Sequence, residues 1–117
     1  MLLRIDPSSP TPLFDQLAAS IRGAAIAGGV KTGERLPAAR ELADSLELNV
    51  HTVLRAYQLL RDEGLVDLRR GRGAVITDRA ERYSQLSSAI ETVVDQARTL
   101  DINPDTVSSL LREAFKK

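Results

Sequence analysis

The sequence predicts a mainly α fold with a small β-hairpin, namely a winged helix-turn-helix plus a C-terminal two-helix dimerisation segment. Three observations predict it. Three segments with apolar residues at helical spacing come first. Two short β-branched runs follow, separated by arginines and glycines. A heptad-like apolar seam then begins after Asp78.

The first helix is expected to start with Thr11 as N-cap and Pro12 in the first helical position, where a missing N–H costs nothing. Phe14, Leu17, Ala18, Ile21 and Ala25 recur on one face, and Gly28-Gly29 ends the helix. A loop carrying Gly33, Leu36 and Pro37 leads to a second helix over Ala38 to Leu46, with Leu42, Ala43 and Leu46 on its apolar face. Ala38 lacks the side-chain oxygen that a serine would offer as cap. Asn49 is the natural N-cap of a third helix over Val50 to Glu63, which buries Val53, Ala56, Tyr57 and Leu60 and stops at Gly64. Leu65–Leu68 and Ala74–Thr77 then read as a hairpin around Arg69-Arg70-Gly71-Arg72-Gly73.

Beyond it, Tyr83, Leu86, Ile90, Val93, Ala97 and Leu100 are spaced 3, 4, 3, 4, 3. A last helix starts at Asn103 as N-cap with Pro104 inside, flanked by the staple residues Ile102 and Val107. Leu110, Leu111, Ala114 and Phe115 continue its apolar face. The expected division is a winged domain over 1–78 and a helical dimerisation tail over 79–117. Two apolar faces in so short a tail favour pairing with a second copy over the alternative, in which both tail helices pack back on their own winged domain and leave a monomer.

The 117 residues suit one domain, or one domain with an appendage. With no cysteine, disulfides and thiolate metal sites are excluded. The opening Met-Leu-Leu-Arg-Ile-Asp-Pro is not a signal peptide, and no run approaches the roughly 20 apolar residues of a membrane span. A cytoplasmic protein without membrane contact, metal or cofactor is expected. Net charge is zero, which weighs against strong nucleic-acid binding unless the charge is segregated. Arg69, Arg70 and Arg72 form the densest basic cluster, while Glu41, Asp44, Glu47, Asp62 and Glu63 lie elsewhere.

Asn49, His51, Thr52 and Arg55 lie at the N-terminus or on the exposed face of the third helix. Free N–H groups and the dipole suit a helix N-terminus to phosphate, and these side chains can donate to base edges. The same four residues also read as a cap plus a solvated polar face. Arg40 opens the second helix, where a cation opposes the dipole; it either meets an external anion or pairs with Asp44 one turn on. Arg70, Gly71 and Arg72 make a tight positive tip that suits phosphate or a narrow minor groove. His51 is the single histidine, and no catalytic constellation is visible, so an enzyme is not expected.

Together these residues resemble the GntR family of bacterial regulators, in particular its short YtrA-type members. The resemblance spans roughly residues 5 to 77: Ile5-Asp6, Pro12-Leu13-Phe14 with Gln16, Leu36-Pro37 with Arg40, Asn49 with Thr52-Val53, Ala56-Tyr57, Gly64-Leu65, and Arg70-Gly71-Arg72-Gly73. The chain departs from the family at Val50, where a basic residue or proline is common, and at Ala38, where serine is common.

The resemblance implies a sequence-specific regulator, more often a repressor, that binds a palindromic double-stranded DNA operator as a homodimer. It implies that Arg40 touches DNA, that Asn49, His51 and Thr52 enter the major groove, and that Arg70, Gly71 and Arg72 reach the minor groove or backbone. Arg35 and Arg55 carry over as phosphate contacts. Tyr83, Leu86, Ile90, Val93, Ala97 and Leu100 on the seam and Leu110, Leu111 and Phe115 on the last helix are the expected dimerisation residues from their spacing, and the segment they occupy looks like the two-helix dimerisation tail of YtrA-type members. A small-molecule effector of unknown identity stays open. The rival reading is a winged-helix module that docks an acidic protein and reads no DNA.

Overall fold

Helical periodicity in the first half of the chain produces three helices that bury one stripe each. The computed structural model describes residues 3–117; Met1 and Leu2, which open the expected winged domain, lie outside the described residues. The order is α1 (Leu13–Ile26), α2 (Ala39–Leu46), α3 (Val50–Asp62), β1 (Val66–Arg69), β2 (Gly73–Ile76), α4 (Arg79–Gln85), α5 (Ser87–Thr99) and α6 (Pro104–Phe115). The mainly helical architecture with one antiparallel hairpin is the winged helix-turn-helix expected from the sequence.

The core gathers Leu17, Ala18, Ile21 and Ala25 from α1, Leu42 and Ala43 from α2, and Val53, Ala56, Tyr57 and Leu60 from α3. Leu65, Val66, Ala74 and Ile76 close it from the hairpin. Among the described residues no polar or charged residue is buried. Arg22 on α1 clasps Glu63 at the end of α3, its Nε donating to the two carboxylate oxygens at 2.7 and 2.9 Å.

One device ends four of the helices. In each, a residue with positive φ lets a following N–H turn back to a carbonyl five residues earlier, satisfying an otherwise unpaired group. The bonds are Gly29 N–H to Ala24 O after α1, Leu48 N–H to Ala43 O after α2, Leu65 N–H to Leu60 O after α3, and Ile102 N–H to Ala97 O after α5. The left-handed positions are Gly28, Glu47, Gly64 and Asp101. Glycine adopts this region without steric cost and aspartate tolerates it, whereas glutamate is strained there.

Three expected boundaries move. Helix α1 begins at Leu13 with Pro12 in the cap position, because the Gln16 side chain, not Thr11, ties the entry: its Nε2 donates to Thr11 O and Asp6 O, and its Oε1 accepts from Asp6 N–H. The strands are shifted by one residue, pairing Val66 with Ile76 and Arg69 with Gly73. The stretch read as a loop before α2 joins the hairpin, since Arg35 bridges Val75 and Leu36 N–H donates to Ala74 O.

Two compact units divide after Gln85, rather than after Asp78. Helix α4 belongs to the first because Ala80 is buried in its core and Tyr83 packs against it. Tyr83 therefore leaves the expected seam, which from Leu86 onward lies with the second unit. There Asn103 caps α6 by accepting from Thr106 N–H, as expected. Neither α5 nor α6 has a buried residue.

The strained position gives a test. Glu47 has φ 56° and ψ 44°. Glu47→Gly is expected to stabilise the fold by about 1 kcal/mol, raising the melting temperature by roughly 5 °C. Thermal unfolding followed by circular dichroism measures this; an unchanged or lowered midpoint contradicts the assigned strain.

Candidate nucleic-acid interface

The core stripe of α3 fixes what the helix offers outward. With Val53, Ala56, Tyr57 and Leu60 facing inward, His51, Leu54, Arg55 and Gln58 are exposed. Thr52 is half-buried at the margin. Asn49 has a structural duty as N-cap: its Oδ1 accepts from His51 N–H at 2.8 Å, which leaves its amide N–H groups to donate outward. Arg55 is held against α1, with its Cζ 3.9 Å from the ring centroid of Phe14. That cation–π contact holds the guanidinium against α1 while Arg55 stays exposed.

Helix α2 begins without a side-chain cap at Ala38. Its first N–H groups therefore lack a side-chain acceptor, and Arg40 stands exposed in the same turn. Among the described residues Arg40 forms no ion pair, so the pairing with Asp44 weighed from the sequence is not made. The Tyr57 hydroxyl ties α2's entry to α3 by donating to Pro37 O at 2.7 Å. Burial pushes the pKa of that hydroxyl up to about 12.

In the hairpin tip, Arg72 N–H donates to Arg69 O at 3.0 Å, and Gly71 and Gly73 have φ of 80° and 72°. A side chain on Gly71 would meet nothing within 4 Å, so backbone conformation is what favours glycine there. Arg69 is engaged with Asp67 at 2.8 Å, whereas Arg70 and Arg72 have no ion-pair partner among the described residues. Arg35 lies exposed beside β2, where it bridges Val75.

The start of α2, the wing-facing side of α3 and the tip-side half of the hairpin converge on one groove of about 410 Å³. Arg70 lines it; Arg35, Arg40, Asn49, His51, Thr52, Arg55, Gly71 and Arg72 do not, although the same elements carry them. Leu54 and Leu68 also line it, and the sequence reading passed over both. The signal for Leu54 was its place outside the core stripe of α3. No His, Cys, Asp and Glu cluster that could hold a metal occurs among the described residues. No helix there is long and apolar enough to cross a membrane.

The family model for bacterial regulatory proteins of the gntR family matches residues 13–76, from the start of α1 to the end of β2. The HTH-type transcriptional repressor YtrA of Bacillus subtilis is 38% identical over 80 residues, which make up 68% of this chain and 62% of that protein. The match thus spans less than two thirds of that relative's length. An HTH-type transcriptional regulator of Mycobacterium tuberculosis is 34% identical over 100 residues, 86% of this chain and 83% of that one. Among solved structures, YtrA from Sulfolobus acidocaldarius, a GntR-family transcription factor, matches with a TM-score of 0.63 at 30% identity, covering 85% of this chain and 99% of that chain.

The Tyr57 tie has two measurable consequences. Tyr57→Phe is expected to cost about 1 kcal/mol at neutral pH by removing the hydroxyl bond to Pro37. The folded hydroxyl titrates above its unfolded value near 10, so its contribution is complete below pH 10 and is lost as pH rises to about 12. Denaturant unfolding at pH 7 and pH 11 checks both, the variant losing less stability over that interval. An equal loss in both proteins assigns the alkaline effect to another group.

Proposed function

The chain belongs to the GntR family of bacterial regulatory proteins and is a DNA-binding transcriptional regulator; on that premise we propose that two copies bind a palindromic operator and repress transcription in the cytoplasm. The first unit, to Gln85, serves DNA reading in this proposal, and the second, from Leu86 to Lys117, serves pairing. The exposed apolar surface of the second unit carries the pairing. Ile90, Val93, Leu100, Leu110, Leu111 and Phe115 are 38 to 89% exposed, and α5 and α6 bury no residue. Two short helices that bury nothing do not hold a hairpin in water, so a second copy is the natural cover. Leu86 and Ala97 extend the same surface. Isologous pairing yields two reading heads related by a twofold axis, and hence a palindromic site.

Within each head, α3 enters the major groove with Asn49, His51 and Thr52 toward base edges. Arg40 and the uncapped start of α2 meet one phosphate strand, with Arg35 and Arg55 on flanking phosphates. Arg70, Gly71 and Arg72 approach backbone or minor groove. The name of the Bacillus relative as a repressor supports the sign of regulation. Regulation by a small molecule is a further part of this reading, without a site assigned to it.

One set of operator titrations tests the proposal. An operator is selected from randomised duplexes and bound at several salt concentrations by the wild type, Ile90→Asp and Arg70→Ala. The wild type is expected to sediment as a dimer at micromolar concentration. Ile90→Asp is expected to sediment as a monomer and to bind the full operator hardly better than a half-site. Arg70→Ala is expected to lower the slope of log affinity against log salt by about 0.9. A monomeric wild type, or an Ile90→Asp dimer, removes the tail from the pairing role; an unchanged slope removes Arg70 from phosphate.

A further inference from the structure

We propose that Leu54 is a specificity-determining residue that reads a thymine methyl group in each operator half-site, an inference that rests on the DNA reading proposed above. The first unit exposes two large apolar side chains among the described residues, Leu54 at 40% and Leu68 at 36%. They are not scattered. Both line the groove between α3 and the hairpin, with the Tyr57 ring and Ala74 beside them and Arg69 and Arg70 also in its walls.

Helix geometry places Leu54 on the outward half of α3. It follows His51 by three residues, roughly one turn, and stands off the stripe of Val53, Ala56, Tyr57 and Leu60. Arg55 leans to the opposite flank, over Phe14 on α1. The exposed face of α3 is therefore apolar toward the wing, polar at His51 and cationic toward α1.

Chemistry selects the occupant. Leucine has no donor or acceptor, so it reads neither a hydrogen-bond pattern nor a phosphate. The major groove presents one apolar group, the C5 methyl of thymine. An apolar patch with arginines on its wall matches a DNA edge, where a methyl-bearing base lies between anionic strands. Two leucines with cations beside them are a poor match for an apolar protein partner, whose interface core is depleted of charge. Covering Leu54 with the methyl removes both from water and favours thymine over cytosine and over uracil.

Deoxyuridine differs from thymidine by that methyl alone, which makes it the probe. In the selected operator each thymidine is replaced singly by deoxyuridine and bound by the full chain. The wild type is expected to lose about fourfold in affinity at one position per half-site, the effect of burying one methyl. Leu54→Ala is expected to bind thymidine and deoxyuridine alike at that position while keeping its preferences elsewhere. Leu54→Met, which retains apolar bulk, is expected to keep the deoxyuridine penalty. A wild type indifferent to every deoxyuridine overturns the inference and leaves DNA reading intact. So does a Leu54→Ala variant with the full penalty, or a Leu54→Met variant without one. Failure to select any sequence overturns the DNA reading and this inference with it.

Discussion

The burial of one stripe on α3 is the constraint on which the rest of the molecule depends. Val53, Ala56, Tyr57 and Leu60 are each at most 3% exposed, and between them they meet α1, α2 and the hairpin. Because side chains on a helix are tied to a 3.6-residue period, burying these four decides where every other side chain points. His51 and Leu54 face outward for that reason. Tyr57 extends the control by one more element, since its hydroxyl holds Pro37 and so the entry of α2. Arg55 on α3 lies over Phe14 of α1, and Arg22 on α1 reaches Glu63 at the end of α3, so side chains of each helix tie it to the other. A reading surface assembled from three separate elements is kept in register by a single apolar seam.

Much of this was legible in the sequence because it rests on periodicity and on local turn chemistry. The α3 stripe, the Asn49 and Asn103 caps and the stops at Gly28 and Gly64 are properties of a few neighbouring residues. What escaped depends on contacts distant in sequence. Gln16 displaced Thr11 at the start of α1 by reaching back to Asp6. Arg35 and Leu36 pair with Val75 and Ala74 about 40 residues away. Tyr83 has the spacing of a seam residue, yet burial against the first core takes it away from that seam. Arg55 gave no sign that Phe14 would lie under its guanidinium. Leu54 was visible as a residue off the stripe, but its meaning emerges only when the hairpin puts Leu68 beside it.

Zero net charge is reconciled with a polyanionic partner by how the charges are spent. Several cations are matched within the chain: Arg22 by Glu63, Arg61 by Asp62, Arg69 by Asp67 and Lys116 by Glu113. Arg40, Arg70 and Arg72 have no such partner among the described residues, and they sit on the elements that carry the reading surface. The second unit presents the opposite character, an apolar surface on two helices with nothing buried within the chain. Unmatched arginines stand on the elements around the groove in the first unit, and the second unit, whose Arg98 and Arg112 also form no ion pair among the described residues, adds uncovered apolar groups. In the proposed function, DNA and a second copy of the chain answer those two needs separately.

The central claim is that the outward face of α3, presented twice, enters the major groove. Dimethyl sulfate interference on a selected operator tests it most directly, because the reagent marks guanine N7 in the major groove. The account predicts two patches of interference related by the operator dyad, one helical turn or a whole multiple of it apart. A single patch contradicts the paired arrangement, and strong binding without major-groove interference contradicts the role assigned to α3.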